Sequence, residues 1–298
     1  MSGTLPTASR FRVLGRVWMR ALKLPALDGP VQIVACDMDG TLLNQRFVLS
    51  DASRARLPEL AERGVRLVLA SGRMVSGQRP FHKQLALTTP IIAYNGALVW
   101  DVANERAVAH TPVPYDLARD AVKVAADEGL HLQYFWDDRF WTIERNSWME
   151  LYEGRTRLTG HVVDDLADFG PNKAPTKMIV ITDPDRAQEL VDRFRGMFGE
   201  NLYVTTTMPE YVEFMHPEVS KGRALSQVAD AYDVPMDEVM AFGDAANDAS
   251  MLAAAGVSVA MENAHAELKD LADHVTLSNR DDGIVRALDA WGLLAPGQ

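Results

Sequence analysis

Apolar residues gather along this chain in short, nearly unbroken runs. They occupy residues 31–36 (VQIVAC), 65–70 (VRLVLA), 91–94 (IIAY), 238–242 (EVMAF) and 257–260 (VSVA). Runs of this length and β-branched content predict strands buried on both faces. Between the first two, Ser50 offers an N-cap and Gly64 a C-terminal stop for one helix. Buried strands alternating with helices predict an α/β fold whose core is a doubly wound, Rossmann-like parallel sheet. In such sheets ligands sit beyond the carboxyl ends of the strands.

The middle of the chain has a different pattern. Pro114 opens a helical stretch reaching Gly129, and residues 130–136 and 139–144 flank Asp137-Asp138 as a hairpin. A strand follows at 176–182, then a helix started by Asp183-Pro184 that runs to about Phe198, then strands at 202–207 and 211–215. These elements predict an inserted α+β domain over 114–215, dividing the core into 30–113 and 216–298. Tyr134, Phe135, Trp136, Phe140 and Trp141 belong to the hairpin, where alternate members face that domain's own core and one or two are left to face a site.

The ends of the core strands carry the chemistry. The first run is followed by Asp37-Met38-Asp39-Gly40-Thr41, the second by Ser71-Gly72-Arg73, the third by Asn95-Gly96 and the fourth by Gly243-Asp244-Ala245-Ala246-Asn247-Asp248. Asp37 and Asp39 fall at i and i+2, so an extended backbone points both carboxylates to one side. Two acids this close repel unless a cation or a shared proton compensates them, and Mg²⁺ suits one or two carboxylates plus phosphate oxygens. Ser220-Lys221-Gly222 opens a further helix, and a lysine in the first turn opposes the helix dipole. A phosphate at the helix N-terminus is the expected compensating anion.

Composition narrows the function. Against 41 Asp and Glu the 298 residues hold 30 Lys and Arg, a net charge of −11, which argues against a nucleic-acid or anionic-membrane surface as the main partner. Cys36 is the single cysteine, so no intramolecular disulfide forms; it reads as a small core residue and fits a cytoplasmic setting. No stretch approaches the roughly 20 apolar residues that cross a bilayer, so no stable membrane association is expected. Residues 1–29 form a basic extension, with Arg10, Arg12, Arg16, Arg20 and Lys23 before any acid, and read as an amphipathic appendage.

Four motifs in this order resemble those of the haloacid dehalogenase superfamily, and specifically its Cof-like phosphatases with an inserted α/β cap. Asp37 to Thr41 matches the first motif, Ser71-Gly72-Arg73 the second, Lys221 the third, and Gly243-Asp244 with Asn247-Asp248 the fourth. The likeness spans about residues 31 to 290. Ala245 and Glu262 depart from residues common at those positions without removing a required group.

The resemblance implies a Mg²⁺-dependent phosphatase acting on a small phosphorylated metabolite. Asp37 would attack phosphorus to form an aspartyl-phosphate, and Asp39 would serve as acid and then base. Asp37, the Asp39 carbonyl and Asp244 would hold Mg²⁺, with Asp248 in or just behind that shell. Gly40, Ser71, Gly72 and Lys221 would bind phosphate, Asn247 would orient phosphate or Lys221, and Arg73 and Asn95 would touch substrate. Asp39 favours ester hydrolysis over carbon–halogen cleavage. A sugar-phosphate mutase, which uses the same residues, ranks second, and a non-catalytic phospholigand-binding protein third. Removal of residues 1–29 is expected to leave turnover on a soluble ester nearly intact, because every candidate group lies after them.

Overall fold

The structure, a computed structural model, describes residues 24–295. Five parallel strands form the central sheet in the order His274–Val275, Val257–Ala260, Val239–Gly243, Ile33–Cys36 and Arg66–Leu69. Side chains alternate across it. Val34, Cys36, Leu67, Leu69, Met240 and Phe242 join one apolar cluster, while Ile33, Ala35, Val68, Val239 and Ala241 join the other. Each fully buried aliphatic side chain of this kind contributes about 1.5–3 kcal/mol, so a central strand without a polar face is the stable solution.

Two elements differ from expectation. The helix anticipated between Ser50 and Gly64 is two short ones, Asp51–Arg56 and Glu59–Glu62, separated by Leu57 and Pro58. Proline has no N–H and its ring clashes with the preceding turn. Ser50 does cap the first, accepting from the Ser53 amide at 2.9 Å, and Gly64 takes φ +75°. The run at 91–94 joins the parallel sheet only through an Ala70–Ile92 bridge. Its strand, Ile91–Ala93, instead pairs antiparallel with Leu98–Asp101, which pairs with Arg106–His110.

Every strand of a separate six-stranded sheet comes from within residues 131–215. Its order is Tyr203–Thr206, Tyr211–Met215, Lys177–Ile181, His131–Trp136, Arg139–Thr142, His161–Val162, and all neighbours are antiparallel except the last pair. One face, with Leu132, Tyr134, Met178, Val180 and Phe214, packs under the helices Tyr115–Asp127 and Pro184–Phe198. The other face, with Phe135, Phe140, Ile179, Ile181 and Tyr211, shares a cluster with Tyr94, Met74, Met149 and Tyr152. Of the hairpin aromatics, then, Phe135 and Phe140 turn toward the parallel-sheet half, and Tyr134 turns away.

The turn of that hairpin links the two halves. Asp137 and Asp138 take φ +55° and +50°, a pair of positive values that matches the twist of a two-residue hairpin turn. The Asp138 carboxylate then accepts from the Val75 amide at 2.8 Å, the Ser76 amide at 2.7 Å and the Tyr94 hydroxyl at 3.0 Å. The helix Val75–Gln84 has no side-chain cap from its own N-cap residue, Met74; Asp138 supplies it from 63 residues downstream. Asp138→Ala is expected to lower stability by about 0.5–2 kcal/mol, read by thermal unfolding. An unchanged melting temperature would show that the contact is not formed in solution.

Of the first 29 residues, Leu24 and Leu27 pack against the core and the Pro25 carbonyl accepts from Trp291 Nε1 at 2.8 Å. The basic positions up to Lys23 lie outside the described residues. Among the described residues no helix is long and apolar enough to cross a membrane.

Candidate active site

Asp37 stands where the central strand ends. Its amide still donates to the Phe242 carbonyl at 3.0 Å, and the chain then folds back, with Leu42 N on the Asp37 carbonyl and Leu43 N on that of Met38. Gly40 makes this loop possible. It takes φ +89°, and a Cβ there would collide with the Asp244 carboxylate, so only glycine lets the loop lie against that acid. Asn263 Nδ2 donates to the Gly40 carbonyl and Asn279 Nδ2 to that of Leu43, each at 2.8 Å, so two further side chains hold the loop.

Asp244 begins the turn after the neighbouring strand, and Asp248 fixes it. One Asp248 oxygen accepts from the Asp244 and Ala245 amides at 2.9 and 3.0 Å. Its other oxygen accepts from Lys221 Nζ at 2.6 Å, and that ammonium also donates to Asp37 Oδ1 at 2.5 Å. Lys221 is fully buried in the first turn of helix Lys221–Ala231, whose N-cap Ser220 accepts from the Arg223 amide. Two carboxylates, those of Asp37 and Asp248, offset its position against the helix dipole.

The 71–73 turn lies beside them. Ser71 is buried; its amide donates to the Ile92 carbonyl and its own carbonyl accepts from the Asn95 amide. Gly72 lies against the Asn95 side chain. Arg73 does not face the Asp37 cluster: it grips Asp39 with two hydrogen bonds, Nε to Oδ2 at 2.7 Å and Nη2 to Oδ1 at 2.5 Å, while its guanidinium lies over the Phe81 and Phe47 rings. Asn247 Nδ2 donates to Asn95 Oδ1 at 2.9 Å, so of its two expected roles the contact with Lys221, which is held by acids, is not formed here. Asn95 is buried at φ +57°, with Nδ2 near Met215 Sδ of the six-stranded sheet.

Three carboxylates against one ammonium leave the pocket electrically unbalanced. Burial pushes the Asp37 carboxyl up from its usual range, and the Lys221 charge opposes that push. Asp244 is pushed up to about 6, mainly by burial; the Thr41 hydroxyl, which donates to it at 2.7 Å, and Lys221 pull the other way. Burial works against the Lys221 charge as well, but Asp248 and Asp37 outweigh it and hold the lysine protonated. Cys36 is buried next to Asp37 and its thiol is pushed up by that burial, as suits a core residue.

A divalent cation fits this arrangement. Oxygens of Asp37, Asp244 and Asp248 lie within 4.8 Å of one another, and an all-oxygen donor set is the kind preferred by Mg²⁺. Asp37 and Asp244 each use one oxygen on Lys221 or Thr41, which leaves the second of each without a protein donor among the described residues. Asp248 spends both oxygens on Lys221 and the backbone, which places it behind the other two. Thr41, Asn263 and Asn279 were given no role from the sequence alone; only their place inside or beside the motifs marked them.

A family model described as haloacid dehalogenase-like hydrolase matches residues 34–288. The chain is 30% identical over 278 residues to a 5-amino-6-(5-phospho-D-ribitylamino)uracil phosphatase of Bacillus subtilis, covering 89% of this chain and 98% of that one. It is 29% identical to the pyridoxal phosphate phosphatase of Escherichia coli, covering 86% and 96% of the two. A crystal structure from Thermotoga maritima superposes with a TM-score of 0.80 at 31% identity, over 87% of this chain and 97% of that one.

Proposed function

The chain belongs to the haloacid dehalogenase-like hydrolases and is a phosphatase of that family, and from this premise we propose that it hydrolyses small phosphomonoesters through an aspartyl-phosphate on Asp37, with Mg²⁺ as cofactor. The observation that carries the reading is the contact of one buried lysine with both Asp37 and Asp248, beside Asp244. The named substrates of the two phosphatase relatives, a ribitylaminouracil phosphate and pyridoxal phosphate, support small phosphorylated metabolites as the substrate class.

Asp37 attacks phosphorus in line, forming the Asp37 Oδ–P bond as the bond to the ester oxygen breaks. Asp39 gives a proton to that departing oxygen, then takes one from the water that attacks the aspartyl-phosphate. The second step returns Asp37 as a carboxylate and releases inorganic phosphate. Arg73 holds both Asp39 oxygens in the structure, so this ion pair opens or shares its hydrogen bonds when the leaving group arrives. Ser71 and Lys221 hold phosphoryl oxygens: an ammonium has three hydrogens, and Asp37 and Asp248 take two of those on Lys221. Asp37, the Asp39 carbonyl and Asp244 would hold Mg²⁺, which would supply the positive charge that lets a phosphate dianion approach this acidic pocket.

Chelation is expected to abolish phosphate release and added Mg²⁺ to restore it; full activity in excess chelator would refute the site. A proton competes with the cation at Asp244, whose carboxyl is pushed up to about 6. As pH falls through that value the acid becomes neutral and ligates poorly, so the Mg²⁺ concentration giving half-maximal activity should rise between pH 7 and pH 5. A constant requirement over that range would contradict the assignment of Asp244 as a ligand.

A further inference from the structure

One aromatic side chain beside the reacting groups has no role in the reaction steps. Phe47 lies on the loop 44–48 that follows the Asp37 turn, and 56% of its surface is exposed. A lone exposed phenylalanine is ordinary. This one also stands at φ +56°, a backbone conformation that bulky side chains rarely adopt, and the loop is tied so as to keep it there. The Phe47 amide donates to the Asn44 carbonyl at 2.8 Å, the Asn44 amide to the Val48 carbonyl at 3.0 Å, and the Arg46 amide to Asn44 Oδ1 at 2.9 Å. Leu43 and Leu49, both buried, anchor the two ends.

The ring meets Arg73. The guanidinium carbon lies 5.9 Å from the centre of the Phe47 ring and 5.5 Å from that of Phe81, within the roughly 6 Å over which an aromatic face attracts a cation. Phe81 belongs to the helix Val75–Gln84 and packs against the core, so it is the fixed member of the pair. Phe47 is the exposed one. The Arg73 side chain is itself 28% exposed, and an arginine in contact with water has many rotamers open to it. Two rings restrict it to the one in which Nε and Nη2 reach the two oxygens of Asp39.

This grip leaves Asp39 free to react. Each carboxylate oxygen has about two acceptor positions, and Arg73 takes one on each. The other position on either oxygen is left for the ester oxygen or the attacking water. What the grip supplies is direction: a planar guanidinium fork bonded to both oxygens fixes the plane of the carboxylate, which a single hydrogen bond does not. Proton transfer depends on such alignment, and an acid-base group held by a third group is the usual way to secure it.

We propose that Phe47 is a positioning residue: its ring holds the Arg73 fork in place, and through Arg73 it fixes the direction of the Asp39 carboxylate. This rests on the reading of Asp39 as acid and base. The test measures kcat and KM separately on p-nitrophenyl phosphate and phenyl phosphate, whose leaving groups share a shape and differ in their need for a proton. Phe47→Leu keeps an apolar side chain and removes the ring; it is expected to lower kcat about 2- to 5-fold, the scale of a cation–ring contact at an exposed site, with KM little changed and the loss on phenyl phosphate at least as large. Phe47→Trp, which keeps a ring, is expected to restore kcat. Arg73→Gln is expected to cost about 10- to 100-fold in kcat, and adding Phe47→Leu to it should cost nothing more, because the cation that the ring acts on is gone. If Arg73→Gln does not fold, the contrast between leucine and tryptophan at position 47 decides. Unchanged kcat in Phe47→Leu, no recovery with tryptophan, or the same loss with and without Arg73 would overturn the proposal, and a rise in KM at constant kcat would overturn it by making Phe47 a substrate contact. Wild-type turnover by Asp39→Asn would instead overturn the role given to Asp39, and absence of release from either ester by the wild type would overturn the phosphatase reading itself.

Discussion

Asp37→Asn is expected to reduce phosphate release by about 10⁴-fold or more, the scale on which loss of a nucleophile is felt, without unfolding the protein. Asparagine has nearly the same shape and its Oδ1 still accepts from Lys221. The change also removes one of three crowded acids, and the Asp37 carboxyl resists ionisation because it is buried. Metal-free Asp37→Asn should therefore melt no lower than metal-free wild type at pH 7. Kinetics on an aryl phosphate together with thermal unfolding in chelator check both halves. Normal turnover would remove Asp37 from the role of nucleophile.

Lys221→Met is expected to damage folding and activity together. The ammonium is fully buried and is the cation held between Asp37 and Asp248; methionine matches its length but leaves those acids facing each other and Asp244 uncompensated. Removing one partner of a buried charge network costs about 3–5 kcal/mol, and losing one donor to the phosphoryl group costs on the order of 10²–10³ in kcat. Added Mg²⁺ should recover part of the stability, since it supplies charge at the same oxygens, but not the missing donor. Denaturant titrations with and without Mg²⁺ check the first effect. Equal stability of variant and wild type in chelator would mean that Lys221 is not the charge balancing the acids.

These effects trace to residues that could be read directly from the chain, and the limits of that reading have physical causes. The central strands were legible because a strand covered on both faces is apolar throughout, as in 31–36 and 239–242. Asp37, Asp39, Ser71, Lys221 and Asp244 stood out because each follows such a run or opens a helix. Arg106–His110 was not, since most of its side chains are exposed and carry no alternation. Nor was the helix Val75–Gln84, which contains Pro80 and takes its N-terminal cap from Asp138 in the hairpin. A cap 63 residues away leaves no local signal.

The same reason separates motif residues from their partners. That Lys221 carries positive charge near a helix N-terminus is a sequence fact; that two carboxylates meet it depends on how strands separated by about 200 residues come side by side. That Arg73, read as a substrate contact, grips Asp39 is set by the turn geometry at 71–73, which no local pattern displays. Phe47 left no trace of its own, since one aromatic residue in a loop gains meaning only once Arg73 is placed beside it.

The proposed covalent intermediate is tested most directly by trapping it. Asp39→Asn keeps the nucleophile and removes the group that activates water, so with labelled p-nitrophenyl phosphate and Mg²⁺ the variant should form aspartyl-phosphate faster than it loses it. Rapid acid quenching followed by peptide mapping should place the label on the peptide containing Asp37, and Asp37→Asn should give none. Label on another residue, label in the Asp37→Asn variant, or phosphate release by Asp39→Asn at the wild-type rate without any trapped label would contradict the account.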